Sequence, residues 1–150
     1  MTKEQFKIYM AGIFDGEGYV GAHTSSKRPQ DKYCDIRIII GFKTGYDGKV
    51  LDKAKKRWKG NVRATKYGTT VWDLKGRACE VFLRDIFPFI SIKKPQVRLA
   101  LKIRETKGIY WRKGRRNRGI PQEIFDERLR LGNAIKNLNH NVGFGRKLDR

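Results

Sequence analysis

Residues 10–18 read MAGIFDGEG, a segment that is apolar at its start, with glycines at positions 12, 16 and 18 and acidic residues at positions 15 and 17. Apolar side chains recur at helical spacing through it, which predicts a helix over residues 3–15 with Thr2 as its N-cap. Gly12 and Gly16 fall on one face of that helix. Since glycine inside a helix costs about 0.5–1 kcal/mol relative to alanine, close packing of this face against a second copy of the helix is expected to offset the cost.

The two acidic residues, Asp15 and Glu17, fall at the C-terminal end of the predicted helix. A helix C-terminus carries unsatisfied carbonyl groups and partial negative charge, so two carboxylates there are unfavourable unless a cation binds. Mg²⁺ suits such a place because it takes oxygen ligands and needs only one or two carboxylates. The alternative is a plain amphipathic helix with solvated acids and Gly18 as its cap, which leaves Gly12, Gly16 and the paired acids unexplained.

The remaining sequence predicts helices and strand pairs in alternation, and hence an α+β fold. Further helices are expected over residues 49–59, 77–87, 94–107 and 122–137, and strands over residues 19–27, 33–43, 61–67 and 70–75. A single domain of residues 1–150 is expected, with a core of about residues 3–107 and a basic helical extension of about residues 108–150. The glycine-rich end from Asn139 is expected to be a loose tail.

Charge is the strongest compositional signal. The chain has 35 lysines and arginines against 15 acidic residues, a formal net charge of +20 at pH 7. A compact domain with that charge repels itself unless a polyanion shares it, and nucleic acid is the commonest such partner. Solubility alone needs far less charge. An anionic membrane surface is the weaker alternative, because no basic helix has the lipid-facing apolar stripe that it requires.

The chain gives no sign of secretion or of membrane insertion. Its two cysteines, Cys34 and Cys79, fit neither a disulfide framework nor a metal-binding pattern and are expected to be buried free thiols. No apolar run is long enough to span a membrane, and the N-terminus shows no signal-peptide pattern. An intracellular protein is therefore expected.

The segment at residues 10–18 resembles the motif of the LAGLIDADG homing endonucleases, with Met10 and Ile13 as apolar variants and Glu17 where aspartate is more usual. The predicted hairpin follows the helix as it does in that family, and the resemblance spans about residues 5–105. It implies an αββαββα core with an antiparallel DNA-binding sheet and extra C-terminal helices. Because the motif occurs once, the resemblance also implies a homodimer. Its interface is expected at Met10, Gly12, Ile13 and Gly16.

The resemblance assigns the metal ligands. Glu17 is expected to bind the cation together with the carbonyl group of Gly16, and its extra methylene changes the reach of the carboxylate. Asp15 is the further candidate ligand, although the family more often uses this acid as a structural group at the paired helix ends. The expected cofactor is Mg²⁺, for which Mn²⁺ or another divalent cation can substitute.

Two lysines match family positions near the reaction. Lys93 follows PFISI at residues 88–92 and is expected to act at the phosphate or in a water network. Lys43 ends the second predicted strand and is expected to position a water. In a chain with so many lysines, either can instead be an ordinary surface residue. Asp47 departs from a position that is often basic in the family, so it is assigned no role.

The hairpins form the expected DNA-reading surface, because a β-ribbon fits the major groove and its side chains reach base edges. Along residues 33–43, isoleucines alternate with residues of a largely polar face, which is typical of a sheet with one solvated side. The candidate contacts are His23, Ser25, Lys27, Arg37, Lys43, Arg63, Lys66, Tyr67, Thr70, Trp72 and Lys75. The run WRKGRRNRG at residues 111–119 is expected to clamp phosphates, or to act as a localisation signal, through Arg112, Lys113, Arg115, Arg116 and Arg118.

The favoured function is a Mg²⁺-dependent, site-specific DNA endonuclease that hydrolyses both strands of a long, nearly palindromic duplex as a homodimer. The resemblance implies a role in intron mobility, with a free-standing or intron-encoded enzyme favoured over an intein. The expected partners are double-stranded DNA and a second copy of the chain, with no membrane and no small-molecule substrate. The alternatives are an intron RNA maturase or a non-cleaving DNA- or RNA-binding protein on the same fold, and a ribosomal or other structural RNA-binding protein.

Overall fold

A computed structural model describes residues 1–25, 33–43, 48–111 and 120–141. Its elements are α1 (Lys3–Glu17), β1 (Gly18–Ser25), β2 (Tyr33–Lys43), α2 (Lys49–Trp58), β3 (Asn61–Ala64), β4 (Thr69–Lys75), α3 (Arg77–Ile86), a 3-10 turn (Phe87–Phe89), α4 (Lys94–Trp111) and α5 (Gln122–Asn141). This order confirms the predicted α+β arrangement. Helix α5 extends to Asn141. The prediction of a loose tail from Asn139 is therefore wrong for residues 139–141, which are helical.

Helix α1 begins and ends where the sequence provides caps. The Thr2 hydroxyl accepts a hydrogen bond from the Gln5 backbone N–H at 3.1 Å, and the Gln5 side chain accepts one from the Thr2 N–H at 2.8 Å. At the other end, a Cβ on Gly18 would lie 2.6 Å from the Phe14 carbonyl oxygen, so only glycine fits there. The helix therefore runs two residues beyond the predicted end and includes Gly16 and Glu17.

The four strands form one sheet in the order β1-β2-β4-β3. Strand β4 pairs antiparallel with β2, where Arg37 lies opposite Lys75 and Lys43 opposite Thr69, and antiparallel with β3. Because side chains alternate along a strand, this register fixes two faces. The face of Ile38, Ile40, Trp72 and Leu74 is buried and is called the core face here. The opposite face carries Arg37, Lys43, Arg63 and Lys75 and is called the outer face.

The chain divides into two compact units, of which the first comprises residues 1–20 and 37–94. Its core joins helices α1, α2 and α3 to the core face of the sheet through aromatic side chains. The Trp58 ring lies 5.5 Å from Phe6, 5.1 Å from Phe82 and 6.1 Å from Trp72, measured between ring centroids. The Phe82 ring also packs edge-on against Phe14. These contacts place the three helices on one side of the sheet.

The second unit comprises residues 21–36 and 95–150. Its described core includes Val97, Ile103, Phe125, Leu131 and Ile135, all buried. Helix α5 lies close to β1, because a Cβ on Gly132 would lie 2.6 Å from the Cβ of Ala22. Each unit consists of two separate segments of the chain. The predicted division into a core and a C-terminal extension stays a prediction.

Three buried charged residues of the second unit, Asp35, Arg104 and Arg128, form hydrogen bonds within it. Asp35, expected on the polar face of its strand, is buried and accepts a hydrogen bond from Arg104 Nη1 at 2.5 Å. Arg128 Nη1 donates to the Cys34 carbonyl oxygen at 2.6 Å. Burial raises the pKa of the Cys34 thiol to about 11. Cys34 and Cys79 are both buried free thiols, as predicted.

Candidate metal centre and nucleic-acid interface

The Asp15 carboxylate is engaged by the backbone that precedes α4. One oxygen, Oδ2, accepts hydrogen bonds from the N–H groups of Ser91 at 2.7 Å and Ile92 at 3.3 Å, and Oδ1 accepts one from the Lys93 N–H at 3.0 Å. The residue is 8% exposed. Asp15 therefore anchors residues 91–93 to the end of α1, and its expected role as a further metal ligand stays a prediction.

The Lys93 side chain lies under the same helix end. Its ammonium group donates to the carbonyl oxygens of Phe14 at 2.9 Å and Asp15 at 2.6 Å, and the residue is 2% exposed. Burial lowers the pKa of Lys93, and the charges of Asp15 and Glu17 oppose that shift. Since the last turn of α1 has no basic residue of its own, Lys93 supplies the positive charge there. This buried placement makes Lys93 a positioning group, and its expected role at phosphate or water stays a prediction.

Glu17 differs from Asp15 in its exposure to solvent and in its hydrogen bonds. It is exposed, and its carboxylate accepts no hydrogen bond within the described residues. Gly16, whose carbonyl is the second expected ligand, is also exposed. In the parts of the chain that the structure describes, no group of three or more His, Cys, Asp or Glu side chains could hold a metal ion. Within the described residues, the end of α1 thus offers Glu17 as its one carboxylate without a donor, which fits Mg²⁺ only with waters or a further copy as additional ligands.

One face of α1 is left uncovered by its own unit. A Cβ built on Gly12 or on Gly16 meets nothing within 4 Å. The large apolar residues Ile8 and Tyr9 on the same side are 49% and 36% exposed. Met10 is fully buried on the opposite side of the helix, so its predicted place in the dimer interface is wrong. The expected interface is therefore Gly12 and Gly16, with Ile13 half-buried beside them.

The outer face of the sheet presents exposed cations in the first unit. Lys43 on β2, Arg63 on β3 and Lys75 on β4 are all exposed, as is Asn61 beside them. Asn61 was not among the predicted contacts, because only the β3–β4 register shows that it shares this face. Lys43 thus lies on the face expected to meet DNA, and its water-positioning role stays a prediction.

Arg37 lies on the outer face but is already paired. Its guanidinium group donates two hydrogen bonds to the Asp73 carboxylate on β4, one of them from Nε at 2.9 Å. These bonds lower the pKa of Asp73 and raise that of Arg37. A base contact by Arg37, as predicted from sequence, therefore competes with Asp73.

The Arg37–Asp73 pair should make stability depend on acidity. A carboxylate with a lowered pKa stabilises the fold above its unfolded value of about 3.9 and loses that contribution as the pH falls through the folded value. Urea unfolding measured from about pH 6 to about pH 2 should show wild type losing more stability than Asp73→Asn. Equal losses in both proteins would contradict the importance of this pair.

Two predicted DNA contacts lie on the wrong face. Trp72 is fully buried on the core face, where its indole Nε1 donates to the Lys59 carbonyl oxygen at 2.8 Å. Thr70 shares that face by alternation and is half-buried. Both residues are removed from the candidate interface. The sequence did not reveal this, because β4 has no clear alternation of apolar and polar residues.

The remaining candidates lie at strand ends and in turns. Tyr67 is 82% exposed in the β3–β4 turn, with the Lys66 ammonium 5.0 Å from its ring centroid. His23 is exposed in the second unit, 6.2 Å from the Tyr33 ring. Ser25 ends β1, and nothing is described of its side chain. Lys27, Asp47, Arg112, Lys113, Arg115, Arg116 and Arg118 lie outside the described residues.

Comparison by sequence identifies no relative: no family model matches the chain, and no curated protein matches it. Comparison by structure finds similar proteins. The homing endonuclease I-CvuI, solved in complex with the I-CreI target and Mg, matches with a TM-score of 0.75 and 17% identity over 96% of this chain and 86% of that one. The archaeal intron-encoded homing endonuclease I-Vdi141I, solved with DNA, matches with a TM-score of 0.68 and 17% identity over 91% and 86% of the two chains.

A third structural neighbour is a LAGLIDADG homing endonuclease. The LAGLIDADG homing endonuclease I-SmaMI, solved with cleaved DNA, matches with a TM-score of 0.69 and 15% identity over 90% of this chain and 47% of that one. The predicted fold is therefore confirmed. No helix within the described ranges combines the length and apolarity needed to cross a bilayer.

Proposed function

From the LAGLIDADG homing-endonuclease fold of this chain, we propose that it is a divalent-metal-dependent, site-specific DNA endonuclease that cuts both strands of its target as a homodimer. The observation that carries the proposal is the end of α1. There an exposed Glu17 carboxylate stands beside a helix terminus that the buried Lys93 and Asp15 hold in place. A carboxylate kept available by such a support is what a metal ligand requires.

Glu17 and the carbonyl group of Gly16 would hold Mg²⁺, or Mn²⁺ in its place. A divalent cation supplies charge stabilisation at the scissile phosphate and lowers the pKa of a bound water. The protein's own contribution is to fix the carboxylate. Lys93 donates to carbonyl groups of the last turn of α1 and offsets their partial negative charge, and Asp15 ties that turn to residues 91–93.

The uncovered face of α1 supports the proposed homodimer. Gly12 and Gly16 have open space above them, and Ile8 and Tyr9 flank them as exposed apolar side chains. A second α1 packed there would bury this apolar surface and bring a second Glu17 to the same place. The two glycines allow the backbones to approach closely. The paired helix ends would then offer two Glu17 carboxylates, one from each copy.

Dimerisation can be tested with a matched pair of substitutions. Gly12→Leu should weaken the dimer at least about tenfold, equivalent to about 1.4 kcal/mol, because its side chain blocks the contact between helices. Gly48→Leu is the control, since Gly48 also has nothing within 4 Å of its Cβ but lies outside α1. Sedimentation over a range of concentrations measures both. A wild-type monomer, or equal behaviour of the two variants, would contradict the proposed interface.

Duplex DNA is the proposed partner of the outer face of the sheet. Lys43, Arg63 and Lys75 are exposed on three adjacent strands of one unit, which suits a backbone of regularly spaced phosphates. The polar side chains between them can reach base edges in the major groove. The interface thus combines charge with a twisted β-ribbon, as groove-reading sheets require.

Metal removal tests the enzyme directly. A duplex is first selected from a random pool by its binding to the protein without divalent cations. Addition of Mg²⁺ should then cut both strands within one sequence, and EDTA should stop the cutting while binding continues. Selective binding with no cutting in Mg²⁺ or Mn²⁺ would favour the non-cleaving DNA-binding alternative.

A further inference from the structure

The exposed cations of the outer face lie around its edge, whereas small and apolar residues lie at its centre. The pairing of β2 with β4 puts Gly41 directly opposite Val71, and Arg63 on β3 lies on the other side of Val71. Lys43 and Lys75 lie at opposite ends of the paired part of β2 and β4. The centre of the face is therefore a glycine and a valine with cations on several sides.

The charged pair on this face leaves the apolar character of the centre unchanged. Ile39 is half-buried on the outer face and lies opposite Asp73 on β4. The Asp73 carboxylate accepts two hydrogen bonds from the Arg37 guanidinium group, so its charge is compensated by a neighbour on the same face. An isoleucine therefore extends the apolar centre along β2.

Gly41 leaves a gap in the outer face that has the size of one methyl group. A Cβ built on Gly41 would lie 3.4 Å from Thr69 Cγ2, 3.6 Å from Val71 Cγ1 and 3.8 Å from the Thr70 carbonyl oxygen. These are ordinary van der Waals distances, so a methyl group fits there without displacing its neighbours. Two of the three surrounding atoms are methyl carbons, and part of Gly41 is exposed. The gap is thus apolar and opens at the surface.

A glycine at this place has a cost for the strand. Glycine inside a strand loses more backbone entropy than other residues and gives no side chain to pack. An alanine would fit the space at Gly41, so packing within the chain does not require the glycine. Glycine within a strand is typical of places where a ligand comes close to the backbone.

The apolar lining of the gap favours one group of the DNA major groove. Every base pair presents hydrogen-bond donors or acceptors there, and the C5-methyl group of thymine is the apolar group of that groove. A polar base edge placed against the methyl groups of Thr69 and Val71 would lose water and gain no hydrogen bond, which is unfavourable. A thymine methyl group in the same place would bury apolar surface.

The surrounding cations suit the same duplex. Side chains two residues apart on a strand are separated by about 6.6 Å, close to two steps of about 3.4 Å along one DNA strand. Lys43 is two residues from Gly41, Arg63 lies beside Val71, and both cations are exposed. Contacts of these cations with phosphates would fix the register of the duplex, so that one base pair faces Gly41.

We propose that the gap at Gly41, lined by Thr69 and Val71 and bordered by Ile39, binds the C5-methyl group of a thymine in the target. This preference rests on the proposed binding of duplex DNA to the outer face, and it assigns one base of the target to one residue. Each such contact should raise the affinity about fourfold, which corresponds to the burial of one methyl group.

Replacement of thymine by uracil tests this contact, because uracil keeps the base pairing and lacks only the methyl group. A duplex selected from a random pool without divalent cations is synthesised again with uracil at each thymine in turn, and the affinity for each duplex is measured. In each half of the target, uracil at one position should weaken binding by wild type about fourfold.

Gly41→Ala identifies the residue that makes the contact. The added methyl group fills the gap, so this variant should bind thymine and uracil at the responsive position equally well, or bind uracil better. Gly48→Ala is the matched control, since Gly48 lies outside the sheet and its Cβ would also meet no clash. It should keep the wild-type ratio of the two affinities. Partial unfolding of a variant lowers both affinities alike and leaves the ratio unchanged.

Three outcomes would contradict the methyl contact, and they are distinguishable. Failure to select any duplex would contradict the proposed function as well. A selected duplex that contains no thymine, or that tolerates uracil at every thymine, would leave DNA binding in place and exclude the contact. A wild-type ratio of affinities in Gly41→Ala would show that a responsive thymine is recognised by another residue.

Discussion

Glu17→Gln is expected to reduce strand cleavage by about 1000-fold or more, while the affinity for duplex DNA stays within a few-fold of wild type. The substitution removes the one negative charge at the end of α1 that has no donor within the described residues, and it preserves the size of the side chain. A 1000-fold loss corresponds to about 4 kcal/mol of transition-state stabilisation. Loss of the metal's charge at the scissile phosphate accounts for an effect of that size.

The control for this substitution is Glu4→Gln, which changes an exposed acid in the first turn of the same helix. It should leave cleavage of the selected duplex unchanged. Glu17→Asp restores the acid more usual in the family and should keep measurable cleavage, because it retains the charge and alters only the reach. If Glu17→Gln cuts at the wild-type rate, the carboxylate is not a metal ligand and the proposed site is wrong.

Asp15→Ala is expected to lower the free energy of unfolding by about 3–5 kcal/mol, with the loss of cleavage following from loss of the fold. It removes the acceptor of three backbone N–H groups at residues 91–93 and a negative charge that favours the charged form of the buried Lys93. Unpaired buried donors and a buried unpaired charge are among the costliest defects in a protein interior.

Urea unfolding at one fixed protein concentration measures this effect, since a dimer's stability depends on concentration. Glu17→Ala is the matched control two residues away; because it is exposed, its unfolding free energy should stay within about 0.5 kcal/mol of wild type. The pair of acids would then separate into one that supports the fold and one that supports the reaction. A wild-type unfolding curve for Asp15→Ala would contradict the structural role assigned to it.

Local sequence patterns predicted the elements well. The period of the apolar residues placed α1, and the cap at Thr2 is present as expected. Alternating isoleucines placed β2 at its observed bounds, with the isoleucines at positions 36, 38 and 40 buried. These features depend on residues close together in the chain, so the sequence contains the information directly. Where alternation was weak, as in β4, the faces were assigned wrongly and Trp72 was placed on the DNA side.

The site itself was only partly predictable. The motif located both acids, but the sequence does not show that Asp15 is buried and hydrogen-bonded whereas Glu17 is exposed. Their difference arises from residues 91–93, which lie 78 residues from Asp15 at the farthest contact. Lys93 was identified through a family resemblance, whereas its position beneath the helix carbonyls is visible only in the folded chain.

The sequence by itself determined the glycine-bearing helix with acids at its end, the hairpins that follow it and the large positive charge. The tertiary structure alone decided which face of that helix is covered, so that Met10 is buried while Gly12 and Gly16 stay open. It also decided that Asp15 is buried whereas Glu17 is exposed. The physical reason is that periodicity sets the phase of a helix or strand, whereas burial and pairing depend on segments that meet only after folding.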